Sequence, residues 1–293
     1  MIALVAAPAT TANLGPGFDV LGAALDLEAA FAVREGPSSF VWPEGMDDPG
    51  EPNLFLEAFA LAFQSRGLRV PEVSVEVTRL LPLRSGLGSS AAAICAGLRA
   101  ADAFLDRPLD DRETLRIAVG LEGHPDNVAA CLYGGVTIAS SAKETLVRRL
   151  PAPNLRAIAL YPGGSTSTPR ARARMPASVP RQDAVHNIGR TALLVYALLQ
   201  GDYGLLRAAT EDRLHEEQRI GGCDWCTAAR EAAYAAGALA MPVSGSGPTM
   251  LALAEPQAAS AVRQVLEPFA TGRPEAFVLD LAFTDRSARL EAL

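Results

Sequence analysis

Residues 77–93 read VTRLLPLRSGLGSSAAA, in which a strand-like alternation of apolar and polar side chains runs into a glycine-rich turn and then an alanine-rich helix. That order of elements suits an anion. Gly86 and Gly88 permit a tight backbone path and close approach of a phosphate. Ser89 and Ser90 then open a helix whose unpaired amides and positive dipole end favour negative charge. No lysine follows the second glycine, so the stretch departs from the P-loop pattern G-x-x-x-x-G-K-[ST]. The chain holds one lysine, Lys143, against 25 arginines. Backbone amides, arginines or a metal ion must therefore hold any polyphosphate bound here. The same residues also read as a plain strand-to-helix turn with serine caps, and the surrounding motifs decide between the two.

At 293 residues the chain has room for one large or two medium domains. We expect two, divided near residue 150 where Pro151-Ala152-Pro153-Asn154 is the most linker-like composition, giving units 1–150 and 151–293. A net charge of −7 argues against a general nucleic-acid or anionic-membrane binder. The N-terminus lacks a basic region and meets Pro8 early, so it reads as a first strand rather than a signal peptide. No apolar run reaches membrane-spanning length. Four cysteines (Cys95, Cys131, Cys223 and Cys226) in a chain this long suggest reduced thiols and a cytoplasmic location.

Period-two alternation predicts strands over 25–34 and 73–78, with a helix between them over 53–64 capped by Asn53. After the glycine turn, one helix is expected to about Phe104 and another from Asp110 to about Glu122. Gly123-His124-Pro125-Asp126-Asn127 breaks the pattern, residues 128–132 read as further helical turns, and a strand follows from Val136. Beyond residue 150 we expect strands over 157–161, 249–254 and 276–281, the last closing the fold, a long helix over 183–200, and a helix opening at Pro256. Strands and helices mix without regular βαβ alternation, which favours an α+β fold.

Three further motifs could carry chemistry. PATTANLGPGFD (8–19) follows an apolar strand and fixes a particular path with two glycines and two prolines, with Asn13 and Asp19 as polar groups; an ordinary Asx-turn loop is the alternative. EGHPDN (122–127) places two carboxylates and an amide at a helix break, a spacing suited to a magnesium ligand plus substrate-orienting groups, or to simple capping by Asp126. VSGSGPTM (243–250) is a second glycine-rich turn between short apolar strands. Cys223-Asp224-Trp225-Cys226 has redox or zinc-like spacing, but without a second pair it reads better as buried or helix-surface thiols than as a zinc site with His215.

Together the glycine turns and the two polar motifs resemble the GHMP kinase superfamily, which includes galactokinases, homoserine kinases, mevalonate kinases and phosphomevalonate kinases. PLRSGLGSSAA (Pro82, Leu83, Arg84, Ser85, Gly86, Leu87, Gly88, Ser89, Ser90, Ala91, Ala92) resembles its ATP loop, and SGSGPT (244–249, including Gly247) its C-terminal glycine motif. APATTANLGPGFDVLG and HPDN resemble the homoserine kinases within it, whereas mevalonate kinases carry glycine and lysine where Ala9 and Thr10 stand here. The resemblance implies a two-domain α+β fold, with an N-terminal domain like ribosomal protein S5 domain 2 and a ferredoxin-like C-terminal domain. It implies ATP and Mg2+ as cofactors, L-homoserine as substrate, phosphoryl transfer to its side-chain hydroxyl, and a homodimer.

The same resemblance gives residue roles. Ser90 and Glu122 would ligate magnesium, and adenine would sit near Asn53. Asn13, Asp19, Asp126, Asn127, Thr168, Arg172, Arg219 and Gly247 would form the amino-acid site. Asn127 would orient the attacking hydroxyl and Asp126 the amino end, with a base role for Asp126 left open. A zwitterion with a primary hydroxyl needs a guanidinium, an acidic group and a hydroxyl-orienting group in one cleft, and the chain offers each. Of the arginines in STPRARARMP, Arg172 is taken for the site, and Arg170 and Arg174 for surface.

Overall fold

A computed structural model of the chain describes residues 2–46, 50, 52–141, 143–164, 168–221 and 223–291, with the side chains of 2 and 168–170 left aside. The first sheet is built from β1 (Ile2–Ala12), β2 (Leu21–Glu35), β3 (Ser39–Val41), β4 (Val73–Arg79), β5 (Val136–Ser141) and β6 (Thr145–Leu150). The second is built from β7 (Arg156–Tyr161), β8 (Met250–Ala254) and β9 (Phe277–Ala282), and β10 (Arg289–Glu291) follows it in the chain. The helices are α1 (Leu54–Gln64), α2 (Ser89–Asp102), α3 (Asp111–Glu122), α4 (Pro125–Tyr133), α5 (Thr168–Ala173), α6 (Arg181–Gln200), α7 (Leu206–Ala209), α8 (Glu216–Ile220), α9 (Asp224–Ala235) and α10 (Ala259–Ala270). Among the described residues no helix is long and apolar enough to cross a membrane.

The first sheet has the order β10-β1-β2-β4-β3, with β5 pairing β2 and β6 pairing β5. Helices α2 and α4 lie across β1 and β2. Alanine makes this close approach possible: Ala7, Ala9, Ala23, Ala91, Ala92 and Ala129 are all fully buried. In the second sheet β7 lies between β8 and β9, all antiparallel, and isolated bridges Ala240–Leu253 and Val243–Met250 extend it by a rudimentary fourth strand. Leu155, Ala157, Leu251 and Phe283 from this half join the same apolar cluster as the first sheet, which closes the two halves over one cleft.

The sequence expectations for most elements match within a few residues, and the departures have physical causes. β1 runs to Ala12 instead of yielding to a loop at Pro8, because its register against β2 shifts between Pro8 and Ala9. A bulge there accommodates a residue without an amide donor. The break before residue 128 is shorter than read: α3 ends on left-handed Gly123, and Pro125 takes the first position of α4, so Asp126 and Asn127 sit in its first turn. Pro256 lies in a turn ahead of α10 rather than opening it, since the buried face of that helix starts at Ala259. β9 is not the last strand. β10, three residues long and too short for periodicity to reveal, returns to pair β1.

The expectation of four reduced thiols is corrected. Cys223 and Cys226 form a disulfide, because Cys223 caps α9 and the first turn brings residue i+3 beside it, with the two Cα atoms 5.3 Å apart. Cys95 and Cys131 are free and buried. His215, far from being a third zinc ligand, bonds Gly15 and Arg219.

The returning strand is fastened by charge. Arg289 donates to both carboxylate oxygens of Glu28 on β2, at 2.7 and 3.3 Å, with the Glu28 side chain 5% exposed. Burial opposes ionisation of Glu28, but Arg289, with smaller help from the charges of Arg286 and Arg79, outweighs it and holds the carboxyl below its usual range. A depressed folded pKa gives stability that is present above the unfolded value and lost as pH falls through the folded one. Glu28→Gln should therefore lower unfolding stability by about 2 kcal/mol at neutral pH. In urea titrations the gap to wild type should narrow as pH is lowered below about 4; a gap independent of pH would contradict the assignment.

Candidate active site

Two glycine-rich turns meet backbone to backbone at the centre of the cleft. Ser244 Oγ donates to Gly86 O at 2.7 Å and contacts Thr11 Oγ1 at 2.9 Å, and Thr249 Oγ1 donates to Ser85 O at 2.5 Å. A Cβ on Gly86 would lie 2.6 Å from Ser244 O, and one on Gly88 would lie 1.9 Å from Thr10 Oγ1. Both glycines also have positive φ, 85° and 71°. They are thus required by the seam behind the loop as well as by its turn, a reason the sequence motif does not disclose. Gly88 caps α2 with no side-chain cap, so the first amides of that helix stay available to an anion, and the reading of Ser89 and Ser90 as mere caps does not hold.

The Ser90 hydroxyl instead donates to Glu122 Oε1 at 2.8 Å, across from the end of α3. Burial pushes the Glu122 carboxyl up, with the neighbouring His124 and Ser90 opposing the shift. One carboxylate and one hydroxyl beside an amide-lined loop form the hard, oxygen-only donor set that Mg2+ takes together with phosphate oxygens, so the residues fit that ion.

Next to this corner lies a charged pocket. Asp126 is 1% exposed, and its Oδ1 receives the Asn127 amide at 2.7 Å and lies 2.5 Å from His124 Nδ1. Burial opposes protonation of His124, but the bond to Asp126 and the charges of Asp126 and Glu122 raise its pKa above the usual value. Asn127 Oδ1 accepts from Thr10 Oγ1 at 2.8 Å, which leaves the amide nitrogen as the donor facing the cleft. Arg172 makes a two-pronged pair with Asp19 at 2.9 and 2.5 Å, and the guanidiniums of Arg172 and Arg219 both lie 5.5 Å from the Phe18 ring centre. Asn13 and Asp19 adopt left-handed φ of 70° and 57°, held by Asn13 Oδ1 accepting the Asp19 amide and Asn13 Nδ2 donating to Gly245 O.

Arg219 is anchored by His215 Nδ1 and Gly245 O, yet its Nε is buried without a partner. Burial lowers the pKa of this guanidinium despite nearby Asp19. A cation in that state is a receptor for a carboxylate.

Opposite the charged pocket the same cleft, about 880 Å3 in volume, opens into an apolar recess formed by Phe31, Phe40, Trp42, Leu54, Leu81 and Leu121. A flat, uncharged ring system would suit it. Nothing in the local sequence marked these residues, because they converge from β2, the β3 region, α1 and the ends of β4 and α3.

Of the expected site residues, Asn13, Asp19, Asn53, Leu83, Arg84, Gly86, Gly88, Ser89, Ser90, Glu122, Asp126, Asn127, Arg172 and Arg219 line this one cleft. Pro82, Ser85, Leu87, Ala91 and Ala92 do not. They support the loop from behind, and Ser85, Leu87, Ala91 and Ala92 are fully buried. Gly247 is likewise absent from the wall, where Gly245 and Ser246 stand in its place. The side chain of Thr168, with that of Arg170, lies outside the described residues. Arg174 is exposed. Thr10 and Phe18 were missed as site residues, although both fall inside the PATTANLGPGFD motif.

Residues 53–135 match the model of the GHMP kinases N terminal domain, and residues 194–271 that of the GHMP kinases C terminal domain. The chain is 40% identical to the homoserine kinase of Desulfitobacterium hafniense over 265 residues, covering 88% of this chain and 89% of that one. It is 41% identical to the homoserine kinase of Gloeobacter violaceus over 271 residues, covering 89% and 91%. The crystal structure of homoserine kinase from Cytophaga hutchinsonii superposes with a TM-score of 0.88 at 30% identity, covering 99% of this chain and 97% of that one.

A base seated in the apolar recess would stack near one of the chain's two tryptophans, Trp42, whereas Trp225 lies beside the Cys223–Cys226 bridge. Titration with ATP should change the emission of the wild-type protein, and Trp42→Phe should remove that response. An undiminished response in Trp42→Phe would place the base elsewhere.

Proposed function

The chain belongs to the homoserine kinase family of the GHMP kinases, and on that premise we propose how its own residues transfer the γ-phosphoryl group of ATP to the side-chain hydroxyl of L-homoserine. The observation that carries the reading is the orphaned Nε of Arg219, a buried cation short of one acceptor, in the same cleft as the α2 amides.

Homoserine presents one carboxylate and one ammonium, and the pocket offers the mirror image of that zwitterion. Its carboxylate takes Arg219, joined by Arg172, while its ammonium takes Asp19 and Asp126. The Asp19–Arg172 pair holds two opposite charges that the substrate re-partners, so binding replaces one ion pair by two without stranding a charge. Asn127, its oxygen fixed by Thr10, donates to the attacking hydroxyl and aligns it with the γ-phosphorus. The amides of residues 86–90 carry the transferring phosphates. Ser90 and Glu122 would hold Mg2+, which supplies charge neutralisation at the β- and γ-phosphate oxygens when bound.

Phosphoryl transfer through a loose transition state draws mainly on positioning and electrostatics, so a strong base is unnecessary. The bond from the γ-phosphorus to ADP breaks as the new P–O bond forms, and the hydroxyl proton passes to an oxygen of the transferred phosphoryl group. The Asp126 carboxylate already accepts the Asn127 amide and contacts His124, which fits it for holding an ammonium better than for taking a proton. The homodimer implied by the family resemblance is part of the same proposal.

ADP release measured over a panel of small alcohols should select homoserine, and Arg219→Met should raise its KM about 100-fold while leaving the KM for ATP within about twofold, as expected when one partner of a buried charge pair is removed. Preference for mevalonate or a sugar, or a defect confined to ATP, would overturn the assignment. Thr10→Val should lower kcat about 10-fold with a smaller change in KM, the worth of one buried hydrogen bond, and Thr10→Ser should restore it. Equal loss in both variants would show that Thr10 acts through shape alone.

A further inference from the structure

His215 is fully buried, and both nitrogens of its ring have a partner. Nε2 lies 2.6 Å from Gly15 O, and Nδ1 lies 2.9 Å from Arg219 Nη1. A carbonyl oxygen can only accept a hydrogen bond, and a guanidinium can only donate one. Nε2 therefore carries the ring proton and Nδ1 is bare, so the imidazole is neutral and held in a single tautomer. A second proton would set an N–H of the ring against an N–H of Arg219 and bring two cations into contact. Burial lowers the His215 pKa and Arg219 adds to the effect, which Asp212, the Gly15 carbonyl and Asp19 oppose without reversing.

The groups on either side of the ring are themselves fixed. Gly15 has a φ of 88°, and a Cβ there would lie 2.2 Å from Thr210 O, so its backbone is pressed against the segment that leads into α8. The next carbonyl, Pro16 O, receives Asn187 Nδ2 and Thr191 Oγ1 from α6. Asp212 Oδ2 accepts the amides of Leu214, His215 and Glu216 at 2.7 to 3.1 Å, and Asp212 Oδ1 accepts from Asn187 Nδ2 at 2.6 Å. That carboxylate sets the backbone from which the imidazole projects.

Arg219 lies one helical turn beyond His215. Its Nη1 is shared between His215 Nδ1 and Gly245 O, while its Nε is buried with no partner. A guanidinium is planar, so two acceptors on one nitrogen fix its plane and with it the direction of Nε. Gly245 O by itself would leave the group free to turn about that one contact. The second acceptor, the imidazole, removes this freedom. The same ring reaches the loop that carries Asn13 and Asp19, so the acidic and basic sides of the pocket meet through one side chain.

We propose that His215 is the positioning residue of the amino-acid pocket: as the neutral Nε2–H tautomer it ties Gly15 to Arg219 and aims the unpartnered Nε at the substrate carboxylate. It touches no reacting atom. The inference rests on the assignment of Arg219 to the homoserine carboxylate and adds the group that orients it.

Two substitutions separate the contacts of the ring, because the amide of asparagine overlies Nδ1 of a histidine and that of glutamine overlies Nε2. His215→Asn keeps an acceptor for Arg219 and gives up the donor to Gly15, and His215→Gln does the reverse. Homoserine KM should rise about 10-fold in His215→Gln and stay within about threefold of wild type in His215→Asn, with the KM for ATP within about twofold in both. Each variant loses one bond, so a merely structural role would affect the two alike. Equal homoserine KM in both variants, or the larger defect in His215→Asn, would overturn the proposal.

A second readout needs neither variant nor substrate turnover. The chain holds three histidines, so long-range 1H–15N spectra, assigned by elimination with His124→Gln and His186→Gln, report the His215 ring directly. At neutral pH they should show a bare Nδ1 and a protonated Nε2, and a proton on Nδ1 would overturn the proposal. Turnover of homoserine with Nδ1 protonated removes the positioning role alone. A bare Nδ1 in a protein that does not turn over homoserine sustains the tie between Gly15 and Arg219 and removes the proposed activity alone.

Discussion

The site depends on the contact between two glycine-rich turns, one from each half of the chain. Gly86 can approach Ser244 only because it has no side chain, and Ser244 then spans Gly86 and Thr11 with a single hydroxyl. The first turn carries the amides that suit phosphate. The second supplies Gly245 O, which receives both Asn13 and Arg219. One seam thus fixes the distance between the two ends of the cleft, one proposed for the nucleotide and the other for the amino acid. Because both partners at the seam are backbone or short side chains, the geometry has little rotamer freedom to lose, which suits a reaction that depends on alignment.

Electrostatics divide the cleft into regions. The scarcity of lysine leaves arginine to provide the positive charge around the amino-acid pocket, and arginine brings direction as well as charge. Arg172 grips Asp19 two-pronged, while Arg219 is held by a histidine and a carbonyl with one N–H to spare. Both guanidiniums lie 5.5 Å from the centre of the Phe18 ring. At the other end Glu122 accepts from Ser90 and lies 3.9 Å from His124, and burial raises its pKa despite both neighbours. A carboxylate beside phosphate and two guanidiniums in one pocket are each like-charge pairs, a repulsion that in the proposed complex a metal ion would relieve at the first and the substrate carboxylate at the second.

Much of this was legible in the residues. Glycine turns, caps and alternating strands have local causes, and Asn53, Gly86, Ser90, Glu122 and Asp126 fall where their motifs suggest. The missing parts have non-local causes. Phe40 and Trp42 meet Leu121 only after the sheet has formed, and no window of sequence joins them. Leu87 and Ala91 sit within the loop motif yet face the core, since a tight turn followed by a helix points alternate residues away from the ligand. Thr10 was hidden because its importance comes from a hydrogen bond to a residue 117 positions away. The Cys223–Cys226 bridge shows the reverse error: a helix cap sets two thiols side by side in a disulfide where composition suggested reduced thiols.

The most direct test is a crystal structure with a non-hydrolysable ATP analogue, Mg2+ and L-homoserine. The account predicts terminal phosphates on the amides of residues 86–90, the purine beside Trp42, the homoserine carboxylate on Arg219 Nε, and its hydroxyl within hydrogen-bond reach of Asn127. Homoserine bound away from Arg219, or a purine occupying the pocket of Asp19 and Asp126, would contradict it.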